Sequence, residues 1–430
     1  MTPPNAPVLQ AFDVARSPAP LWEQGLVSLW FLVTFIPFEN DELLLYPLAL
    51  YFVASFVLHI RQLLPLVLRC WPLFLVPALA AFSMFWSPVS SLSLRFGIMM
   101  TLTALIAISI AGRLTPRQIV GSVFVACALS VFVAIPESGS LNDQEGLYVQ
   151  KNIFAIRMTI AMVLALGVAL DRGQHILFRL IALPFVPLTL YLILIAESAT
   201  ALLLSAAALV ILGTIWLLWS NFERVRHLRV IVLGFAMVVA LVGGLVVANA
   251  PTGSLIDQGL SALGKDSSLT GRTELWSAAE RISKERPWLG VGAEGFWKPW
   301  IGEAESILDW SYKPSGSKFS FHSTYYEVLI HLGYIGLGFM VFQIVWCAFN
   351  ALRAWISQQD MPSAMLLTLS ALSVTTTFTE SYMFSVFDIN AMLFMVAGVS
   401  ALAAKSRLER VVYAVPADAA VQNGIDGYPA

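Results

Sequence analysis

The sequence predicts an all-α polytopic membrane protein, with about twelve transmembrane helices and one large external loop containing an amphipathic helix. Three observations predict it: composition, the recurrence of long apolar runs, and the placement of basic residues. Of 430 residues, 58% are hydrophobic and 12% charged, with a mean hydropathy of +0.76. Soluble domains average roughly 45–50% apolar and about 25% charged, so too little polar surface remains here to coat a soluble globule of this size. A membrane helix needs about 20 mostly apolar residues at about 1.5 Å rise each. Such runs lie near 21–38, 43–60, 66–86, 95–112, 117–135, 153–170, 176–196, 199–219, 229–249, 325–349, 364–384 and 386–403.

The runs are interrupted once at length, which divides the chain. Residues 1–249 form an N-terminal bundle of about nine helices, 250–323 a large loop, 324–404 about three further helices, and 405–430 a polar tail. Met1 to Pro20 is polar and proline-rich, with no basic start leading into a short apolar stretch, so no removable signal peptide is expected. With the N-terminus inside, 14 of the 25 Lys and Arg fall on the inner side. They include Arg61, Arg113, Arg172, Arg226 and Arg353. The short outer turns and the start of the sixth run hold three, Arg95, Lys151 and Arg157. Long loops are exempt from the positive-inside rule, so this asymmetry sets both termini in the cytoplasm and the 250–323 loop outside. The acids Glu39, Asp41, Glu42, Glu197, Glu380 and Asp388 then also lie outside. Cys70, Cys127 and Cys347 sit in or beside apolar runs without CxxC spacing, which reads as three buried thiols rather than a disulfide framework or zinc site.

The loop carries its own structure. From Thr270 it reads TGRTELWSAAERISKERPWLGVG. Thr270 is placed to cap a helix, Glu274 suits the first-turn dipole, and Leu275, Ala279 and Ile282 make one apolar stripe. Pro287 and Gly290 end it, giving an amphipathic helix of about four turns lying on the outer membrane face or on the tops of the spans. Trp288, Phe296, Trp297, Trp300 and Trp310 follow as a dense aromatic set. Two readings of that set stay open, a headgroup-level belt and a stacking surface for sugar rings.

The loop ends in FSFHSTYYEVLIHLGYIG. His322 stands at the mouth of the next span, where a neutral imidazole could take a proton from a hydroxyl. A purely structural histidine is the competing reading. Glu327, five residues on, reaches the ring only through a local kink, and Tyr325 is a further supporting candidate. His331 lies deeper and reads equally well as a structural hydrogen-bonding residue. Arg157, one turn inside the sixth span after Lys151-Asn152, needs a polar partner or must snorkel to the surface.

Together, Gly271-Arg272-Thr273-Glu274-Leu275-Trp276, Pro287-Trp288-Leu289-Gly290-Val291-Gly292, His322-Ser323 and Gly333-Tyr334-Ile335-Gly336 resemble the O-antigen ligase and polysaccharide polymerase superfamily. The motif-bearing part covers residues 271–336; the remainder agrees in architecture. The resemblance implies a bacterial inner-membrane glycosyltransferase working in the periplasm without metal, nucleotide sugar or other cofactor. The donor would be a glycan on undecaprenyl diphosphate, and the acceptor a second glycan or a lipid A core sugar. It implies His322 as the base or acceptor-positioning residue and Arg272 as a diphosphate ligand, with Arg157 and Lys151 as further diphosphate candidates. Membrane lipid and a chain-length regulator are the expected partners, and nucleic acid is not. Leu275 lies three residues after Arg272, a spacing that ligases often carry, which leaves ligase and polymerase both open; Lys151-Asn152 resembles exopolysaccharide polymerases and tilts the reading to a polymerase.

Two other classes compete. A transporter would show Gly/Pro-broken spans in matching halves, and Pro72 and Pro77 have no counterpart context at Pro184 and Pro187. A metal-dependent glycosyltransferase could use Glu39, Asp41 and Glu42 as hard oxygen ligands.

Overall fold

The computed structural model describes residues 19–36, 40–137, 151–221, 271–317 and 319–414. Among these, every regular element is helical. The helices are α1 Leu21–Phe35, α2 Glu42–Leu58, α3 Ile60–Arg69, α4 Leu75–Phe82, α5 Ser90–Arg113, α6 Pro116–Glu137, α7 Lys151–Leu170, α8 Ile176–Ala182, α9 Phe185–Ile195 and α10 Ala199–Asn221. The loop supplies α11 Arg272–Ser283 and α12 Gly302–Trp310, and the chain continues with α13 Thr324–Gln358, α14 Met361–Thr376 and α15 Ile389–Ala414. A helix lies at each expected apolar run except 229–249, which falls outside the described residues.

The chain is a multi-pass membrane protein, but the helices are less regular than the runs suggested. Among the described residues, five helical stretches are long and apolar enough to cross a membrane, α8 and α9 counted as one, or six if the bent pair α2–α3 is one span. The other apolar helices, such as α1, α14 and the described part of α15, are shorter. The run drawn at 66–86 is broken. α2 turns by 99° into α3, which buries Leu63 and Leu66 but exposes Arg61 and Leu64, and a 3-10 turn over Trp71–Phe74 precedes α4. The run 176–196 divides into α8 and α9 before Pro184, whose ring cannot continue the helical hydrogen-bond ladder. The run 364–384 stops as a helix at Thr376, leaving Thr377–Asp388 as a loop with a 3-10 turn, Tyr382–Phe384.

Helix α7 is the centre of the bundle, packed against α6, α9, α10 and α14. A second layer is formed by α13 on α15, α15 on α5, and α5 on α4. Small residues let these backbones approach, as van der Waals packing in lipid requires. A side chain at Gly398 would strike Cys347 on the facing helix. Two acid–base pairs tie helix ends together. Arg113 holds Glu23 through two 2.8 Å hydrogen bonds, and Arg117 Nε lies 2.8 Å from Asp171. Asp360 caps α14, its Oδ1 accepting from Ser363 N at 3.0 Å.

The loop helix α11 forms where its stripe predicts, with Leu275, Ala279 and Ile282 buried. It is shorter than expected, 12 residues beginning at Arg272, and its N-cap position is Gly271 in the left-handed conformation (φ +79°). Thr270, expected as the cap, lies outside the described residues. The second loop helix, α12, has no counterpart in the expected elements. It packs Ala304 and Ile307 with α11, Phe296 and Phe321 into a separate small core.

Candidate active site

The site is assembled from three segments far apart in sequence: the start of α11, the Phe319–Ser323 approach to α13, and the Thr377–Asp388 loop. What holds them in register begins at a break in α13. Gly333 has φ +65° and interrupts the helix. There the loop segment Pro287–Gly292 lies against the opened turn. Val291 N and Gly292 N donate to Ile330 O and His331 O at 3.0 and 2.9 Å, and Tyr334 N and Ile335 N donate to Pro287 O and Trp288 O at 2.7 and 3.2 Å. Backbone groups freed by the break are thereby satisfied, which membrane-level irregularity requires. A Cβ at Gly333 would collide with the Trp288 backbone, and one at Gly290 would lie 2.5 Å from Ile330 O. This close approach explains why both segments carry glycine.

His322 sits just before α13 with φ +49°, a left-handed conformation that costs energy in a non-glycine residue and clusters at functional sites. Its Nδ1 lies 3.2 Å from Glu380 Oε2, while Glu380 Oε1 accepts from Arg272 Nη2 at 3.0 Å. All three side chains are largely buried. In the tautomer that donates from Nδ1 to this carboxylate, Nε2 is the basic nitrogen. Thr324 fastens the Glu380 loop to α13, its N donating to Thr377 O and its Oγ1 to Glu380 O, both at 2.9 Å.

Glu327 does not touch His322. Its Oε2 accepts from Phe321 N at 2.8 Å, and its Oε1 accepts from Trp297 Nε1 at 3.0 Å and lies 3.3 Å from His331 Nε2. One turn of helix points the carboxylate back over the chain preceding α13, so Glu327 fixes the backbone beside His322 rather than its ring. His331 Nδ1 in turn lies 3.1 Å from Gly292 O, within the α13 break. Tyr325 is likewise a brace: its hydroxyl accepts from Thr377 Oγ1 at 2.9 Å, and its ring meets Phe378 at 5.0 Å.

The loop aromatics divide. Phe296 and Trp297 pack into the small core with Phe321, whereas Trp288, Trp300 and Trp310 are 68%, 63% and 49% exposed. Only these last three keep faces that lipid or sugar could meet.

A cavity of about 570 Å³ opens between the bundle and the loop. Its lining includes Arg157, Arg95, Lys298, Glu294, Asp388 and Ser385. Arg157 donates to Phe35 O and lies 5.9 Å from that residue's ring centroid. Arg95 is tethered by Tyr46 at 2.8 Å and Glu42 at 3.6 Å. Asp388, in the loop ahead of α15, accepts from Asn390 N and Ala391 N at 2.8 and 3.3 Å. Burial pushes its carboxyl up, opposed by the Arg157 charge and these N–H groups. Lys151 heads α7, but it is absent from this lining and makes no hydrogen bond or ion pair among the described residues. Its neighbour Asn152 accepts from Ser198 Oγ at 3.0 Å.

Of the residues expected from sequence, His322 and Arg272 therefore meet, joined by Glu380. Arg157 lines the adjacent cavity; Lys151 does not. From sequence, Glu380 is placed only on the outer side, at the end of the 364–384 run. The available signal was a carboxylate at the end of an apolar run, which requires a named partner.

The family model described as O-antigen ligase matches residues 184–342, which contain Arg272, His322 and the α13 break. The chain is also 30% identical over 302 residues to the exopolysaccharide production protein ExoQ of Rhizobium meliloti (strain 1021). The O-antigen ligase match and the likeness to an exopolysaccharide production protein both fall on the part of the chain that starts this cluster, at Arg272. The alignment with the rhizobial protein covers 67% of this chain and 66% of that one, so slightly less than two thirds of the relative's length is spanned.

Proposed function

We propose that this protein is a member of the O-antigen ligase and polysaccharide polymerase superfamily, a glycosyltransferase of the outer face of a bacterial inner membrane. It moves a glycan from undecaprenyl diphosphate to a sugar hydroxyl, as an exopolysaccharide or O-antigen polymerase. The observation carrying the reading is the His322–Glu380–Arg272 cluster, a base with a carboxylate-fixed tautomer beside a fixed guanidinium. His322 Nε2 accepts the proton as the acceptor oxygen attacks the anomeric carbon from the face opposite the diphosphate. The new C–O bond forms with inversion while the bond to the diphosphate oxygen breaks, and the diphosphate leaves with the electron pair. Charge growing on that leaving group is stabilised by guanidinium donors held in place beforehand. Arg272 uses one nitrogen for Glu380 and retains other donors for phosphoryl oxygen. Arg157, at the cavity wall, is the second arginine of the reading.

Polymerase is favoured over ligase by the relative's description as an exopolysaccharide production protein. A ligase would hand the glycan to lipid A core instead. The deciding experiment is complementation of a deletion strain with His322→Ala and Arg272→Ala, insertion being checked by membrane fractionation. Both variants are expected to insert and to make no polymer. Normal polymer from both would end this reading. Lost exopolysaccharide with intact lipopolysaccharide in the deletion strain supports polymerase; lipid-linked O-antigen accumulating over bare core supports ligase. Activity is expected to survive EDTA, because guanidinium groups supply the leaving-group stabilisation.

A further inference from the structure

In the loop that links Glu380 to the cavity wall at Ser385–Asp388 lies a buried hydroxyl with no hydrogen-bond partner among the described residues. Tyr382 opens the 3-10 turn Tyr382–Phe384, and its Oη is buried without a hydrogen-bond partner. Buried phenol groups normally find one, because an unmet O–H forfeits its hydration with no return. Several buried serine hydroxyls are similarly unmet, Ser109, Ser122 and Ser370 among them. Those lie on helices, where rotation brings Oγ to the carbonyl one turn back. A phenol has no such local recourse. The position of its ring oxygen is set by the packing of the turn, and Phe384 anchors that turn against Phe96 at 5.0 Å and His331 at 5.7 Å.

The surroundings define what this hydroxyl can meet. Two residues upstream, Glu380 is committed to Arg272 and His322. Downstream, Ser385 to Asp388 form a wall of the cavity that holds Arg157. Tyr382 thus stands two residues from the acid that joins Arg272 and His322 and three before the wall that faces Arg157. Glu380 and Asp388 already accept hydrogen bonds from other donors. What the Tyr382 O–H lacks is an acceptor, and a phosphoryl oxygen drawn in by Arg157 and Arg272 has that chemistry.

We propose that Tyr382 is a substrate-contacting residue whose hydroxyl donates to the lipid-linked diphosphate where that group passes from the Arg157 cavity toward His322. This rests on the glycosyl-transfer reading and adds a third, neutral donor to its two arginines. A neutral donor can hold the diphosphate without adding fixed charge to a site that must release it.

Tyr382→Phe tests it, because it deletes one oxygen and leaves the ring. Removing an unpartnered hydroxyl from a stable fold leaves the melting temperature unchanged or raises it. A missing hydrogen bond to a charged phosphoryl group lowers transfer by about 10- to 100-fold and weakens inhibition by inorganic pyrophosphate to a similar extent. The expected result is that pair of losses with an undiminished melting temperature in detergent. Wild-type transfer and pyrophosphate inhibition in Tyr382→Phe overturn the proposal. So does lost activity with a lowered melting temperature, which assigns the hydroxyl to the fold. His322→Ala is assayed in parallel. If it transfers normally, the glycosyl-transfer reading itself fails; if it is inactive while Tyr382→Phe is normal, only the tyrosine assignment falls.

Discussion

A histidine serves as a base at Nε2 only while Nδ1 keeps the proton, and Glu380 is the group that keeps it there. Glu380→Gln keeps the size and one acceptor but removes the charge, and its amide can offer a donor to Nδ1 and select the wrong tautomer. Transfer is expected to fall by about 10²-fold or more, within the usual range for acid–base catalysis, with the protein still inserted. A rate within a factor of two of wild type, measured on a lipid-linked donor, would remove Glu380 from the mechanism. Glu380→Ala differs in kind, because it strands the largely buried Arg272. Loss of one partner from a buried pair costs about 3–5 kcal/mol, so this variant should also melt at lower temperature. Arg272→Lys should inactivate without unfolding: one ammonium cannot hold Glu380 and also present the planar fork that phosphate binding uses. Normal polymer from that variant would show that charge alone suffices.

At the scale of elements, the segment Pro287–Gly292 and the break at Gly333 form one unit, which fixes where α13 is interrupted. Gly333→Ala must place a Cβ against the Trp288 backbone and hold φ near +65°. The left-handed conformation alone costs roughly 1–2 kcal/mol, and the clash adds to it. The variant is expected to melt at lower temperature and lose transfer together, whereas Gly338→Ala, with open space at its Cβ, should change neither. Equal behaviour of the two would mean that the contact with the loop is dispensable. The sequence announced both halves of this unit, since PWLGVG and GYIG are local strings. It could not announce that they pair, because four backbone hydrogen bonds leave no side-chain signature. The same limit hid Glu380, 58 residues from His322 and 108 from Arg272. The stripe of α11 was visible because helical periodicity writes burial into residues a few positions apart. Helix α12 was not expected, and the bend at His59 carries no proline to mark it. Glu327, five residues from His322, was placed near the right backbone but given the wrong target, since the carboxylate reaches Phe321 N and not the ring.

For the whole molecule, the distribution of basic residues makes a claim that helix lengths do not: the cluster of Arg272, Glu380 and His322 faces outward while both chain ends lie in the cytoplasm. Membrane crossings short of about 20 residues are tolerated where helices pack on one another and the bilayer adapts, so α1 and α14 do not by themselves decide the number of crossings. The orientation can be measured directly, because Cys70, Cys127 and Cys347 are all buried and give little background to a thiol reagent. Tyr312, 97% exposed in the loop, and Arg172, exposed at the end of α7, are on opposite sides in this topology. In intact spheroplasts a membrane-impermeant maleimide is expected to label Tyr312→Cys and to leave Arg172→Cys unlabelled until the membrane is opened. The reverse pattern would put the histidine cluster in the cytoplasm, where a glycan carried to the outer leaflet on undecaprenyl diphosphate could not reach it. Labelling of both in intact cells would mean that Lys and Arg placement does not govern this chain, and the inner and outer assignments of every loop would fall with it.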